Sequence, residues 1–139
     1  MISNIDPDFY SDNPKILSMR DGVAKALLDI GKQDEKVIVL TADLSSSVRT
    51  DLFEKEIGFP RFIDVGIAEQ NLVTVASGLA ASGLLPYVAA YSAFSPGRNW
   101  EQIRTTICLN NQPVKIIGSH VGITVGPDGA THQMLEDIA

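Results

Sequence analysis

The most constraining feature of this sequence is a short, unbroken run of apolar and β-branched residues, VIVLT, at 37–41. Such runs are typical of parallel strands that are buried on both faces. Further strand-like segments follow at 61–65, 84–91 and 114–118, and helix-like segments separate them. This alternation predicts an α/β fold in which helices cover both faces of a parallel sheet.

The helix-like segments complete the expected order of elements. Residues 16–30 place apolar side chains at helical spacing, and Gly31 is the expected end of that helix. A helix over 68–82 is rich in small residues, which allow close packing against a sheet. The other expected helices are 49–57, 98–109 and one that begins within 131–139. The sheet is expected to be incomplete at its C-terminal end, because this last helix should lead into another strand.

Composition narrows the class of protein. The 139 residues are 45% apolar and carry a net charge of −6, which indicates one globular domain. The acidic balance argues against a nucleic-acid binder, and no apolar run is long enough for a transmembrane helix. We expect an irregular polar leader over 1–14 and a single α/β domain over 15–139. The lone Cys108 is expected to be buried, and a reducing cytoplasm is the default location for a chain without disulfides.

Chemistry is expected at one edge of the sheet, because open parallel sheets bind ligands outside the carboxyl ends of their strands. The loops at that edge are 43–47, 64–70, 92–98 and 119–132. The sequence contains no GxxxxGK[ST], GxGxxG, HExxH or GxSxG motif. A nucleoside-triphosphate site, a zinc protease and a serine hydrolase are therefore not supported.

Glu69 follows the run at 61–65, within GIAEQN, at the expected start of a helix. A carboxylate at that position is stabilised by the helix dipole, by about 0.3–1 kcal/mol, and needs no other role. The alternative is a carboxyl group in an apolar pocket formed with Ile67, Ala68 and the helix that follows, where desolvation favours the protonated acid. Such a group could donate a proton to a ring nitrogen.

Both histidines of the chain, His120 and His132, lie at the ends of one glycine-rich loop. Glycines flank Pro127 and Asp128, so the backbone there can approach a ligand closely. An ordinary surface turn explains the same pattern. A metal site is not predicted, because no third ligand stands at a suitable spacing.

Three loop residues have both an ordinary and a functional interpretation. Phe94 is either a core side chain or a platform on which a flat ring stacks. Arg98 is either solvated or an anion ligand, and Asp43 forms an Asx turn or lines a site.

Arg20, inside the first expected helix, also has two interpretations. The ordinary one is a surface ion pair with Asp21 or Asp29, and the other is anion binding.

Five segments, taken in order, resemble the pyrimidine-binding domain of transketolase: SMRDGVAKAL, LTADLSSS, DVGIAEQN, YSAFSPGRNWEQIR and GSHVGITVGPDGATHQ. The resemblance covers about residues 15–139, and DVGIAEQN and GPDGATHQ are its most specific parts. It implies the thiamine-diphosphate-binding fold. The activity that it implies is transfer of a two-carbon ketol unit between sugar phosphates, a transferase reaction of carbohydrate metabolism in the pentose phosphate pathway.

The resemblance implies a pocket for the pyrimidine ring of thiamine diphosphate. The family's glutamate in the GIAEQN-like motif binds a nitrogen of this ring and shares a proton with it, and this residue is Glu69 here. Phe94 corresponds to the aromatic residue that stacks on the ring, with Tyr91 as the alternative. Asp43 and Leu44 correspond to an acidic and an apolar residue that line the cofactor.

The resemblance also implies a substrate site. Asp128 and His132 correspond to residues of the family's GxDGxTH motif that bind the sugar hydroxyls, and His132 is expected to act in catalysis. His120 and Arg20 correspond to positions that bind the substrate phosphate. The family's common GEDGPTH is GPDGATH here, which changes the rigidity of the loop.

A partner chain is implied as well. In the family a different domain, marked by a GDG…N motif, holds the diphosphate and its Mg²⁺, and this sequence lacks that motif. We also expect the family's third, C-terminal domain to be absent. We therefore expect a part of the C-terminal component of a split transketolase, which pairs with an N-terminal subunit in a heterotetramer or a larger dimer-based assembly. The weakly charged segment 83–94 is expected to line an interface.

Alternatives to a transketolase remain. AEQN alone is shared with deoxyxylulose-phosphate synthase and with the E1 β subunits of 2-oxoacid dehydrogenases. GATHQ together with His120 favours a transketolase, because both histidines suit a phosphorylated sugar. A non-catalytic interaction module is the third alternative, and the intact Glu69, Asp128 and His132 argue against it.

Overall fold

A computed structural model of the chain describes residues 6–138. Four strands form one parallel sheet in the order β2-β1-β3-β4. Their bounds are β1 Val37–Thr41, β2 Phe62–Asp64, β3 Leu85–Tyr91 and β4 Lys115–Ser119. At the carboxyl ends, Thr41 lies opposite Asp64 on one side and Ala89 on the other.

Helices cover both faces of this sheet, as the sequence predicts. They are α1 Met19–Gln33, α2 Asp51–Glu56, α3 Glu69–Ala81 and α4 Trp100–Gln102, which continues as a π-helical turn over Ile103–Cys108. Short 3₁₀ turns span Pro7–Tyr10 and Gly126–Thr131. The predicted parallel α/β sheet with flanking helices is confirmed.

The core forms because β1 sends alternate side chains to opposite faces. On one face Val39 packs with Leu27 of α1 and Phe53 of α2. On the other face Leu40 packs with Leu72 of α3. Burial on both faces explains why β1 has an unbroken apolar sequence.

The order of the strands positions the functional site. From β1 the chain crosses to β2 on one side, and β3 then lies on the other side of β1. The loops after β1 and β3 therefore diverge at the carboxyl edge and open a crevice there.

Gly31 was expected to end the first helix, but it does not. It lies buried inside α1, which continues to Gln33. A side chain at Gly31 would overlap the ring of Phe53, so this glycine is needed for the close approach of α1 and α2.

The prediction of a helix that begins within 131–139 is also wrong for the described residues. Met134 instead pairs antiparallel with Gly122, and Gly122 N–H donates to the Met134 carbonyl at 2.8 Å. The Gln133 side chain adds a bond to the Ile123 carbonyl at 3.1 Å. These contacts fold the chain back on the glycine-rich loop, and Ala139 lies outside the described residues.

Two expectations about burial are wrong as well. Cys108 is exposed rather than buried. The segment 83–94 is largely the central strand β3, whose Val88 and Ala90 are fully covered, so it does not offer an apolar surface.

Of the leader predicted over 1–14, residues 1–5 lie outside the described part and residues 6–14 are exposed throughout. In residues 6–138, helices that could cross a membrane are absent.

Candidate functional site

Asp64, at the end of β2, ties together two loops at the carboxyl edge of the sheet. Its Oδ1 accepts the Asp43 N–H at 2.8 Å and the Gly66 N–H at 2.9 Å. Asp43 is held at φ +57°, a conformation that non-glycine residues adopt rarely, with aspartate among those that adopt it more often. Asp64 was not selected from the sequence, although it lies near the end of the strand-like segment 61–65 and begins the edge loop 64–70.

Glu69 is the first residue of α3 and is only 2% exposed. Its Oε2 accepts a bond from Arg98 Nη1 at 2.7 Å, whereas the Arg98 side chain is 48% exposed. A buried carboxylate is tolerated only when it is paired and hydrogen-bonded. Glu69 is therefore buried, but Ile67, which was expected to help form an apolar pocket around it, is 75% exposed. The partner of the carboxylate is a guanidinium that the sequence did not predict. Arg98 is accordingly neither a free anion ligand nor a purely solvated residue.

Asn99 holds the backbone of the same glutamate. Its Nδ2 donates to the Glu69 carbonyl at 2.8 Å and to Ser95 Oγ at 3.1 Å. Asn99 is fully buried, and its Oδ1 has no hydrogen-bond partner in the described part of the chain. Consecutive residues, Arg98 and Asn99, thus bind the side chain and the main chain of Glu69.

Phe94 lies beside this ion pair. The guanidinium of Arg98 lies over its ring, with Cζ 4.6 Å from the centroid. The ring of Tyr91 is parallel to it within 4° at 6.1 Å, and His132 meets its edge at 5.2 Å. Phe94 therefore links the buried carboxylate to the glycine-rich loop.

His120 continues the aromatic cluster on the far side of Tyr91. Its ring stacks on Tyr91 with centroids 3.8 Å apart. Its Nδ1 lies 2.8 Å from Ser119 Oγ, and its Nε2 lies 3.5 Å from Arg20 Nη1. Since arginine can only donate, Nε2 is the acceptor in this pair and the proton of the neutral ring resides on Nδ1.

The surroundings of His120 lower its pKa below the ordinary value of 6.5. Burial is the largest cause, the positive charge of Arg20 adds to it, and His132 contributes in the same direction. Asp128 acts in the opposite direction and raises the pKa. His120 is therefore a neutral imidazole at pH 7.

Arg20 reaches across from the start of α1. Besides His120, it donates to the Ser47 carbonyl at 2.8 Å. The surface ion pair expected with Asp21 is not formed, because Asp21 accepts a bond from Arg49 Nε at 2.7 Å. Arg20 and His120 border a groove of about 610 Å³ that also includes Leu17 among its lining residues.

The remaining predicted site residues occupy different places. Leu44 is half-buried and packs against the cluster that contains Tyr91, whereas Asp43 is exposed. Asp128 lies exposed in the 3₁₀ segment before His132, where Gly129 adopts φ +68°. His132 is half-buried and binds Thr131 Oγ1 through Nδ1 at 2.8 Å.

The predicted residues therefore form two adjoining regions. One, named the ring pocket, consists of Glu69 and Phe94 joined through Arg98. The other is the groove bordered by Arg20 and His120, and Tyr91 lies between the two regions. Within residues 6–138, no group of three His, Cys, Asp or Glu side chains is arranged to hold a metal ion.

Comparison with known proteins identifies relatives of this arrangement. Residues 15–139 match the family described as the transketolase pyrimidine-binding domain. A transketolase C-terminal section of Methanocaldococcus jannaschii is 48% identical over 87% of this chain. A 1-deoxy-D-xylulose-5-phosphate synthase of Clostridium beijerinckii is 41% identical over 83% of it.

A solved structure of a split-gene transketolase, described as an inactive β4 tetramer, has a similar fold. It is 42% identical, with a TM-score of 0.72 over 88% of this chain. The chain spans only part of these relatives. It covers 38% of the M. jannaschii protein, 18% of the synthase and 39% of the solved chain.

Proposed function

The chain belongs to the family of transketolase pyrimidine-binding domains, and we propose that it provides the pyrimidine pocket of a thiamine-diphosphate-dependent transketolase. The observation that carries this proposal is the buried carboxylate of Glu69 beside the face of Phe94. A carboxyl group and an aromatic face are what a flat, nitrogen-containing ring requires for a hydrogen bond and a stack.

The residues present fit such a ring. The guanidinium of Arg98 is itself flat and carries N–H donors, and it lies on Phe94 while bound to Glu69. The pocket therefore already accommodates a planar group with these two contacts. Because Glu69 is removed from water, a hydrogen bond to its carboxyl group is stronger than one at the surface.

Each residue then has a distinct role. Glu69 exchanges a proton with the ring nitrogen, and Phe94 orients the ring. Asp43 and Leu44 line the cofactor beside the pocket. Tyr91 supports His120 rather than contacting the ring. Thiamine diphosphate, when bound, supplies the carbon nucleophile that carries the two-carbon unit.

The groove beside the pocket is the proposed substrate site. Arg20 carries a fixed positive charge that suits the phosphate of a sugar phosphate. The neutral imidazole of His120 would donate to that phosphate from Nε2 in its other tautomer, in which Ser119 Oγ would donate to Nδ1. Asp128 and His132 lie on the neighbouring loop, from which they bind the sugar hydroxyls, and His132 takes part in proton transfer.

A partner chain completes this proposal. Relatives described as a C-terminal section and as a split-gene transketolase support a separate N-terminal subunit. We assign the diphosphate and Mg²⁺ to that subunit, and the β4 tetramer of the solved relative supports a heterotetramer or a larger dimer-based assembly. A cytoplasmic location stays a prediction from the single cysteine.

Reconstitution tests the proposed function. The chain is produced together with a subunit that carries the GDG…N motif, and transfer of a two-carbon unit from a ketose phosphate to an aldose phosphate is measured with and without thiamine diphosphate and Mg²⁺. Transfer that requires both chains and the cofactor supports the proposal. A purified complex that binds the cofactor and performs no transfer contradicts it.

Synthesis of 1-deoxy-D-xylulose 5-phosphate is the second candidate function, because a synthase is 41% identical to this chain. The same complex is assayed for this product, and its formation in place of ketol transfer would favour the synthase.

A further inference from the structure

Arg98 makes two contacts at once, and each of them involves a residue of the proposed ring pocket. Its Nη1 donates to Glu69 Oε2 at 2.7 Å, and its Cζ lies 4.6 Å from the centroid of Phe94. A guanidinium is planar and offers N–H groups in its plane. A pyrimidine ring that stacks on Phe94 and shares a proton with Glu69 would make the same two contacts.

We propose that Arg98 occupies the ring pocket of the chain and competes with the ligand, so that it is an affinity-determining residue of this site. The inference rests on the proposed function, since it takes Glu69 and Phe94 as the ring-binding residues. The face of Phe94 that Arg98 covers cannot hold a second planar group at the same time, although the carboxylate of Glu69 can accept more than one hydrogen bond. The guanidinium must therefore leave that face before a ring can stack there.

The surroundings of Arg98 allow this movement. Its side chain is 48% exposed, although its partner Glu69 is buried. A groove of about 810 Å³ lies along the same segment, and it is lined in part by Gly97, Trp100, Arg104, Glu136 and Asp137. A displaced guanidinium thus has water and open space nearby, with two acidic residues and one basic residue along the groove.

Competition also determines which ligands the pocket selects. To displace Arg98, a ligand must offer both a flat face for Phe94 and a nitrogen group for Glu69. An aromatic ring without the nitrogen leaves Glu69 buried and unpaired, which is costly. The pocket therefore discriminates against plain aromatic rings.

The test uses the uncharged pyrimidine half of thiamine, 4-amino-5-hydroxymethyl-2-methylpyrimidine, as the probe. This molecule has no diphosphate, so its binding is independent of the partner's diphosphate site, and it has no charge of its own. Its affinity for the full chain is measured by NMR titration at millimolar concentrations. Toluene serves as the plain aromatic control and is expected not to bind the parent chain.

Arg98→Gln should bind the probe roughly threefold to tenfold more tightly than the parent, because a cation–π contact and an ion pair with a half-exposed guanidinium are no longer displaced. Arg98→Lys keeps the charge but has no flat face, and it should lie between the two. Arg49→Gln is the matched control, since Arg49 is an exposed arginine that pairs with Asp21 at 2.7 Å. It should bind the probe as the parent does.

The side-chain Nε–H signal of Arg98 gives a second measurement on the parent chain, in case a variant fails to fold. Release of the guanidinium by the probe should move this signal towards that of a free arginine, while the Nε–H signal of Arg49, which donates to Asp21, stays in place. Equal or weaker binding by Arg98→Gln, or an unchanged Arg98 signal in the saturated parent, would overturn the inference. Failure of the proposed function would give a different result. Neither the parent nor any Arg98 variant would bind the probe, or Glu69→Ala would bind it as tightly as the parent does.

Discussion

The imidazole of His120 stacks on the ring of Tyr91, with centroids 3.8 Å apart and 29° between their planes. Tyr91 is 8% exposed, and the ring face that it turns towards this site is covered by His120. Phe94 is less buried and lies on the side of Tyr91 that leads to Glu69. We therefore propose separate tasks for the two rings: Tyr91 supports the groove bordered by Arg20 and His120, and Phe94 serves the ring pocket.

Substitution of these two rings should separate their tasks. Phe94→Leu should weaken binding of the pyrimidine probe by about threefold to tenfold, because a stacked aromatic pair contributes about 0.5–1.5 kcal/mol. Tyr91→Leu should leave that affinity nearly unchanged and alter the chemical shifts of His120. The probe titration used for Arg98 measures both effects. A larger loss of probe affinity in Tyr91→Leu than in Phe94→Leu would reverse the assignment.

Removal of the His120 imidazole should affect the substrate and leave the cofactor site intact. In the reconstituted complex, His120→Ala should raise KM for phosphorylated donors roughly tenfold, the loss expected for one hydrogen bond. Arg20→Gln should act in the same direction, because both side chains border the same groove. Steady-state kinetics at saturating thiamine diphosphate measures the change. An unchanged KM together with slowed cofactor activation would assign His120 to the cofactor site instead.

His120 should also make the stability of the chain depend on pH. Since its pKa is lower in the folded protein than the ordinary value of 6.5, the unfolded chain binds more protons between the two values. The free energy of unfolding should therefore fall as the pH drops from about 6.5 towards 5. Urea titrations across this range should show a weaker pH dependence for His120→Gln than for the parent. Arg20→Gln should show a partial reduction, because burial remains as the larger cause, and identical slopes in all three proteins would contradict this account.

Local sequence patterns predicted the elements of this fold well. The strand over 37–41 was predicted to the residue, because a strand buried on both faces must be apolar throughout. The two failures have a common physical cause. Gly31 was interpreted from its backbone freedom, whereas contact with Phe53 decides its role. The segment after Thr131 was interpreted from helical spacing, whereas pairing with Gly122 decides its path.

Several residues selected from the sequence lie together in the structure, but their contacts were not predicted. Glu69 and Phe94 were selected from their loops and from the family resemblance. The contacts of Arg98 and Asn99 with Glu69 join residues about thirty positions apart in the sequence. Local sequence patterns do not encode such contacts. Asp64 was missed for the same reason, because its role depends on the neighbouring loop after β1.

The isolated chain should bind thiamine diphosphate only weakly. The ring pocket contacts one end of the cofactor, and we assign the diphosphate and Mg²⁺ to the partner subunit. Isothermal titration calorimetry with Mg²⁺ present should therefore show no tight binding by the chain alone and clear binding once the partner is added. Sub-micromolar, Mg²⁺-dependent affinity of the chain by itself would overturn the assignment to the partner.

The central claim is that the carboxyl group of Glu69 exchanges a proton with the ring nitrogen of the cofactor. Glu69→Gln keeps the size of the side chain and a hydrogen-bond donor but cannot exchange a proton, and positioned acid–base groups contribute about 10²–10⁴-fold. The direct measurement is NMR-detected hydrogen–deuterium exchange at C2 of thiamine diphosphate bound to the reconstituted complex. We predict that Glu69→Gln slows this exchange by about 10²–10⁴-fold while the partner stays bound. Exchange at the parent rate would show that Glu69 is only a residue at the start of a helix and that the proposed pocket is wrong.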